Sequence, residues 1–228
     1  AYKQANTYIG SIYATGHNTC YFEPFKGKAE RPMILNLESG GFMKLAPNRF
    51  DAEFDAQSEK PGEQRLEKMV SGRYMGELFG MAIAELLGEK GKKYGFTSID
   101  MSNIILDETA GLTEVGRIVS AKTGHDLEEV DRQRLQELAS ALVVRSARLV
   151  TATYVGIIWQ LAGDDAIKKQ HIAIDGSVYE KMPLAKENIM RALSELLGES
   201  ASLVDTVLEN GGSGLGAAIA AAMSQKQA

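Results

Sequence analysis

The sequence predicts one α/β domain built on a mixed β-sheet. Three observations carry that prediction. Alternating β-branched and aromatic residues open the chain, apolar residues at helical spacing fill its middle, and a strand–helix–strand–helix order closes it. At 228 residues the chain is long enough to bury a substantial core.

The stretch "TYIGSIYATGHNTCYFE" predicts two strands around a turn at Thr15–His17. "RPMILNLESGGF" predicts a third strand ending in a Gly-Gly turn. From Pro61 to Gly88, Leu66, Met69, Val70, Tyr74, Leu78, Met81, Ala82 and Leu86 keep helical period. Pro61 suits a first turn and the Gly88–Gly91 region a stop. Gly72, Gly76 and Gly80 lie inside this helix at four-residue spacing. Glycine there costs about 1 kcal/mol against alanine, so a backbone or ligand is expected to approach closely. Lys92 to His125 predicts short helices joined by loops. A long helix follows from Leu127 to Leu161, with a stripe of Leu135, Leu138, Leu142, Val143, Leu149, Val150 and Thr153 and a stop at Gly163. "KQHIAIDGS" predicts a strand and turn, "LAKENIMRALSELLG" an amphipathic helix ending at Gly198, "SLVDTVLE" a last strand and Ala217–Ser224 a last helix. No internal repeat or low-complexity stretch interrupts this order.

Composition excludes several classes. The chain is 44% hydrophobic and 24% charged, and its net charge of −5 leaves no electrostatic footprint for nucleic acid. One cysteine, Cys20, excludes a disulfide framework and a cysteine-rich metal site, and fits a reducing, cytoplasmic setting. No unbroken apolar run reaches membrane-spanning length, the best candidate being interrupted by Arg145, Ser146 and Arg148, so no membrane partner is expected. The chain starts Ala-Tyr-Lys-Gln without an initiator methionine, and a piece of a longer protein is expected.

Three glycine turns stand at strand ends. "ENGGSGLGAAIAAAM" formally fits a G-x-G-x-x-A pattern from Gly212 to Ala217. A dinucleotide site needs a further strand and an acidic residue about twenty positions on, and too little chain remains. No Lys-Ser or Lys-Thr follows, so it is not a phosphate loop of the Walker type. Two readings stay open: a helix N-terminus facing an anion, or a tight turn packed on the sheet. "AIDGSVYEKMP" places Asp175-Gly176-Ser177 after a strand, and "YATGHNTCY" places Thr15, Gly16 and Asn18 after the first. Together they suggest a ligand beyond the strand ends. Glu38 follows an apolar strand, and Glu67 lies early in the Pro61 helix, where the helix dipole favours negative charge. Each alone reads as a surface acid. Converging with Asn18, they would bind sugar hydroxyls through charge-assisted hydrogen bonds.

These stretches resemble the hexokinase family. "TYIGSIYATGHNTCYFE" resembles its Gly-Thr-Gly-x-Asn-Ala-Cys-Tyr-x-Glu strand and loop, and "ILNLESGGF" is similar to Ile-Asn-Thr-Glu-Trp-Gly-Ala-Phe. "FDAEFDAQSEKPGEQRLEKMVSGRYMGEL" is similar to the family's most specific block, Asp-x-x-Ser-x-x-Pro-Gly-x-Gln-x-x-Glu-Lys-Met-x-Ser-Gly-x-Tyr-x-Gly-Glu. "IAIDGSVYEKMP" and "ENGGSGLGAAIAAA" resemble its two late turns, and all five motifs run in family order from Tyr8 to Ala221. The resemblance implies the large domain of a hexokinase-type sugar kinase, with the ribonuclease H-like superfold shared with actin and the heat-shock chaperone ATPases.

It also implies site residues. Asn18, Glu38 and Glu67, with Gln64 nearby, would bind the hydroxyls of a hexose, glucose first. Thr15 and Gly16 would face the phosphates of ATP, which brings its magnesium ion. Arg73 would lie near the nucleotide, Gly176 and Ser177 on its phosphate and ribose side, and Gly212, Ser213 and Gly214 by the adenosine. Ser120 would also touch the nucleotide.

The sequence departs from the family at Ala14, where the loop's first glycine is expected, at Leu37 in place of threonine, and at Ser39 in place of tryptophan. A methyl at Ala14 would crowd the phosphate approach, and Ser39 would loosen the packing behind Glu38. No Asn-Asp-Thr and no Asp-x-Gly-Gly-Thr occurs in the chain. In the family the first supplies the base aspartate and the second a small-domain phosphate loop. The expected protein is therefore an ATP-dependent hexose kinase whose small domain is supplied in cis, with this chain inactive alone. The alternatives are a non-catalytic sugar sensor on the same scaffold, favoured by Ala14 and Ser39, and a nucleotide-dependent chaperone or filament protein. Cys20 is expected to be an inert strand residue. His17, His125 and His171 lack ligand spacing, Met69, Met75 and Met81 read as core, and Trp159 is expected to be packed.

Overall fold

A computed structural model describes residues 5–23 and 33–225 of the chain, with the side chains of 220 and 223–225 left aside. Five strands form one sheet: β1 (Thr7–Tyr13), β2 (His17–Glu23), β3 (Met33–Asn36), β4 (Gln170–Asp175) and β5 (Val204–Leu208). Their order across the sheet is β3-β2-β1-β4-β5. β1–β2 and β2–β3 are antiparallel, whereas β1–β4 and β4–β5 are parallel. The expected mixed sheet is thus observed. The tight β1–β2 connection needs only Ala14–Gly16, while the parallel steps are bridged by helices, as parallel pairing requires. One edge of the sheet consequently collects the ends of β1, β3, β4 and β5 and the start of β2.

The core lies on the face of β1 that carries Ile9, Ser11 and Tyr13, joined by Ile172 and Ile174 of β4. Helix α1 (Arg49–Gln57) was not expected from the sequence: its mean character is polar, and it is fixed by an Asn48 capping box with Asp51. The single helix expected from Pro61 to Gly88 is two, α2 (Arg65–Val70) and α3 (Gly72–Leu86). Ser71 breaks it with extended backbone, φ −79° and ψ 154°. Beyond the break the buried face runs through Met75, Leu78, Phe79, Ala82 and Ile83, so that of the expected stripe Tyr74 and Met81 are half-buried and Leu86 is 70% exposed. Helices α4 (Ser98–Ile105) and α5 (Thr113–Thr123) are the short helices expected between Lys92 and His125.

The long helix is α6 (Glu129–Ala162), stopped at Gly163 with φ 59°. By length and composition α6 is apolar enough to cross a membrane, which corrects the expectation that no segment is. Half of that apolar window is buried within the domain, where Val143, Ala147, Val150, Tyr154 and Ile158 enter the core, and this burial accounts for its character. Trp159 departs from expectation too: it is 55% exposed, on the side of α6 turned away from the core. Met69 and Met75 are buried as expected, and Met81 is half-buried.

After β4 come α7 (Ser177–Lys181), α8 (Ala185–Leu197) and, beyond β5, α9 (Gly212–Gln225). The last helix starts five residues before the expected Ala217, so Gly212, Ser213 and Gly214 are its first turn rather than a loop. The turn itself is made by Gly211, with φ 72°. The close approach expected at the α3 glycines is present. A β-carbon on Gly76 would stand 2.5 Å from the Phe96 carbonyl oxygen, and one on Gly72 would stand 2.8 Å from Val178 Cγ2 and 3.0 Å from the Ala14 carbonyl oxygen.

Candidate functional site

The sheet edge that gathers the strand ends carries two adjoining polar groups. The first is built on β2, β3 and α2. Asn18 points away from the core, and its Nδ2 donates to Asn36 Oδ1 at 2.8 Å; Asn36 Nδ2 in turn donates to Glu38 Oε1 at 2.5 Å. Asn18 Oδ1 accepts from the Ser39 N–H at 3.1 Å, tying β2 to the turn after β3. Glu67 Oε2 accepts from the His17 N–H at 3.0 Å. Gln64 enters through Gly40, whose β-carbon, if present, would stand 2.8 Å from Gln64 Oε1, 2.7 Å from the His17 carbonyl oxygen and 3.1 Å from Glu67 Cβ. Asn18, Glu38, Gln64 and Glu67 are therefore brought together.

Asn36 belongs to the same group and was missed by the sequence reading. Its signal was its place two residues before Glu38 in "ILNLESGGF". Glu38 and Gln64 both hold left-handed backbone, φ 49° and 51°. Such a conformation costs non-glycine residues on the order of 1–3 kcal/mol and persists only where the surroundings enforce it. The enforcement around Gln64 is visible. Buried Lys68 bonds Asp55 at 2.5 Å and the Lys60 carbonyl oxygen at 2.6 Å, while Arg65 donates to the Met43 carbonyl at 2.8 Å.

The second group surrounds the β1–β2 tip. Gly72 N–H donates to the Ala14 carbonyl at 2.8 Å, and Arg73 N–H reaches the Thr15 carbonyl at 3.4 Å. Gly16 leaves room for Glu67, whose Oε2 would lie 2.8 Å from a β-carbon there. Gly176 holds φ 137°, and a β-carbon on it would overlap the Tyr13 carbonyl and stand 2.7 Å from Ala14 Cβ. The Ala14 methyl is thus turned toward Gly176. Thr15, Arg73 and Ser177 line one cleft of about 670 Å³, which runs past Lys92 and Lys93 to Thr97. The Arg73 guanidinium lies 3.6 Å from Glu59 and over the Tyr74 ring.

Gly212 and Ser213 stand elsewhere. With Asp175, Asn18 and Asn36 they line a second cleft of about 380 Å³, on the sheet face opposite the core, and Gly214 does not line it. Ser120 lies apart from both clefts: on α5, its hydroxyl donates to Asp126 Oδ1 at 3.0 Å. Among the described residues no group of three His, Cys, Asp or Glu side chains is placed to hold a metal.

Behind the site, hydroxyls replace what would be unpaired groups in the core. Tyr13 pairs with Ser146 at 2.6 Å, Ser146 donates to the Val70 carbonyl at 2.6 Å, and Tyr154 donates to Ser11 at 2.9 Å. Burial pushes both phenols far up, so they remain neutral donors. His17 is 3% exposed, and burial lowers its pKa to about 4, so its ring is neutral. The Cys20 thiol is raised by burial, which keeps it protonated and unreactive.

Comparison with known proteins follows this geometry. The family model described as Hexokinase matches residues 8–223. Hexokinase-2 of Candida albicans is 31% identical over 99% of the chain, and Hexokinase-7 of Oryza sativa subsp. japonica is 35% identical over 99%. The chain spans 52% and 54% of these relatives, about half their length. A crystal structure of a hexokinase superposes with a TM-score of 0.77 at 26% identity, covering 90% of this chain and 47% of that one. A Schistosoma mansoni hexokinase complexed with glucose gives 0.78 over 90% of this chain and 50% of that one, at 22% identity, and shares the fold. Matched along nearly its whole length and built on the same actin-like α/β scaffold, the chain belongs to the hexokinase family.

Proposed function

We propose that this chain is the large domain of an ATP-dependent hexose kinase, and that it supplies one wall of the cleft in which a phosphoryl group passes to the sugar 6-hydroxyl. The observation that carries this reading is the convergence of Asn18, Asn36, Glu38, Gln64 and Glu67 beside the Thr15–Gly16 turn. Two carboxylates and three amides are the acceptors and donors a polyol needs, and ionised acceptors bind hydroxyl donors most strongly. Glucose is the first candidate sugar, and the glucose complex of the Schistosoma mansoni relative supports it.

In this reading Glu38 and Glu67 accept from sugar hydroxyls, Asn18 and Asn36 orient Glu38, and Gln64 adds an amide beside Gly40. Thr15, Gly16, Gly176 and Ser177 receive the phosphates, where the glycines allow close backbone approach. Arg73 flanks the nucleotide in the larger cleft. Gly212 and Ser213 serve its far end from the second cleft. Magnesium arrives on the nucleotide, held by phosphates and water, since hard cations of its size retain several waters. Catalysis here is positioning and charge stabilisation. The base aspartate and a second phosphate loop come from the small domain in cis, because neither motif occurs in this chain.

The test is a coupled assay of the full-length protein with MgATP and a panel of hexoses. Turnover of glucose or a close epimer is expected, and Glu38→Gln should cut kcat/KM for the sugar about a hundredfold, the loss of charge-assisted bonds. Sugar binding by calorimetry without turnover on any hexose would overturn the kinase in favour of a sensor.

A further inference from the structure

Three chain segments carry the polar cluster: the β1–β2 hairpin, the turn at 38–41 and α2. One residue touches all three. The His17 backbone N–H holds Glu67 of α2 at 3.0 Å. Its ring Nδ1 lies 3.1 Å from the Ile12 carbonyl oxygen, across the hairpin. Its Nε2 lies 3.4 Å from Ser39 Oγ, next to Glu38. Its carbonyl oxygen faces Gly40, leaving no space for a β-carbon there. The ring also stands edge-on to Tyr13, with centroids 6.2 Å apart.

These partners fix the tautomer. A carbonyl oxygen only accepts, so Nδ1 carries the proton. Nε2 then offers a lone pair, and the Ser39 hydroxyl donates to it. A neutral imidazole of one tautomer satisfies both ends at once, and burial of the ring keeps it neutral. Where the family motif places tryptophan, this chain has Ser39, and the imidazole from the neighbouring strand lies against it. The ring and the small hydroxyl residue meet beside the Glu38 backbone.

We propose that His17, through Ser39, is a positioning residue for the sugar site, holding the Glu38 turn in register with Glu67 and Asn18. The inference rests on the hexose-kinase reading and adds to it a residue that contacts no substrate. It predicts an effect on the sugar and none on the nucleotide, because Thr15 and Gly176 take no bond from the imidazole.

Two measurements on the full-length protein test it. The ¹⁵N imidazole spectrum of His17 should show the Nδ1–H tautomer at neutral pH, with the Nε2 resonance shifting in Ser39→Ala. In steady-state assays Ser39→Ala should raise the sugar KM about fivefold, the worth of one modest hydrogen bond, with the ATP KM unchanged. His17→Asn, which keeps a donor for Ile12 but is too short for Ser39, should match it, and the double variant should be no worse than either. An Nε2–H tautomer, an unchanged sugar KM in Ser39→Ala, or sugar and ATP KM rising together would overturn the inference. Those outcomes leave an active wild type and so leave the kinase reading standing. A wild type inert on every hexose would bring down both.

Discussion

Gly176 shows how a single backbone angle holds the rim of the site. Its φ of 137° is open to glycine alone, and the Tyr13 carbonyl occupies the space of a β-carbon. Gly176→Ala is expected to cost about 3 kcal/mol or more, combining strain with a backbone clash, measurable as a lowered urea midpoint. His17 gives a pH signature. Its unfolded value is 6.5 and its folded value about 4, so the folded ring resists protonation. Above pH 6.5 both states are neutral and the contribution is complete. As pH falls from 6.5 to 4 the unfolded chain takes up a proton that the folded chain refuses. Stability then drops by on the order of 3 kcal/mol. Urea midpoints should fall across that window in the wild type and fall less in His17→Asn. At this scale Asn18, Glu38 and Glu67 were legible as types suited to sugar hydroxyls, and only the resemblance could bring them together. Asn36 escaped because an amide in an exposed strand has no distinguishing composition. Ser120 belonged to none of the quoted motifs, and its hydroxyl is taken by Asp126.

At the scale of elements, α3 carries its glycines where α4 crosses it. The Phe96–Thr97 backbone lies against Gly76, and the Thr97 capping box with Asp100 fixes that crossing. Gly76→Ala gains helix propensity worth about 1 kcal/mol, yet it must push a backbone aside from 2.5 Å. The clash is expected to win, as overpacking costs typically 1–3 kcal/mol and here meets backbone rather than a flexible side chain. Thermal unfolding checks the sign: a higher melting temperature would refute it. The period-two and period-3.6 patterns gave most elements because burial is one-sided in β1, β2, β4 and α8. They failed at Ser71, where one extended residue divides the run and the buried face of α3 passes to Met75, Phe79 and Ile83, and at α1, whose contacts are mainly polar. The early start of α9 was hidden because Gly212, Gly214 and Gly216 are weak helix formers that nevertheless continue from the Gly211 turn.

For the whole molecule, the sheet has one deeply covered face and one face lined by Gly10, Ile12, Cys20, Ala173 and α9. Ile34 is 56% exposed on this second side. This chain by itself is expected to show no hexose phosphorylation with MgATP, while the full-length protein turns over. A coupled assay on both preparations decides it, and activity in the isolated chain would show that the missing motifs are dispensable. A mixed sheet was legible from the sequence because strands open the chain and strand–helix pairs close it, whereas the strand order was not. The position of Gly212 in a cleft with Asp175 was not, since it depends on how β5 pairs with β4.

The three-residue tip Ala14–Gly16 is where the two polar groups meet: its strand continues into His17 and Asn18, and its carbonyls receive Gly72 and Arg73. The turn after β3 touches only the first group, and the turn after β4 only the second. Heritable change is therefore partitioned. On the proposed reading, mutations at 37–41 would alter one ligand preference and those at 176–177 the other, so each could drift under separate selection. On the same reading, mutations at 14–16 would be pleiotropic, and a lineage that shifts its preferred sugar would have an easier route through Leu37 and Ser39 than through the tip.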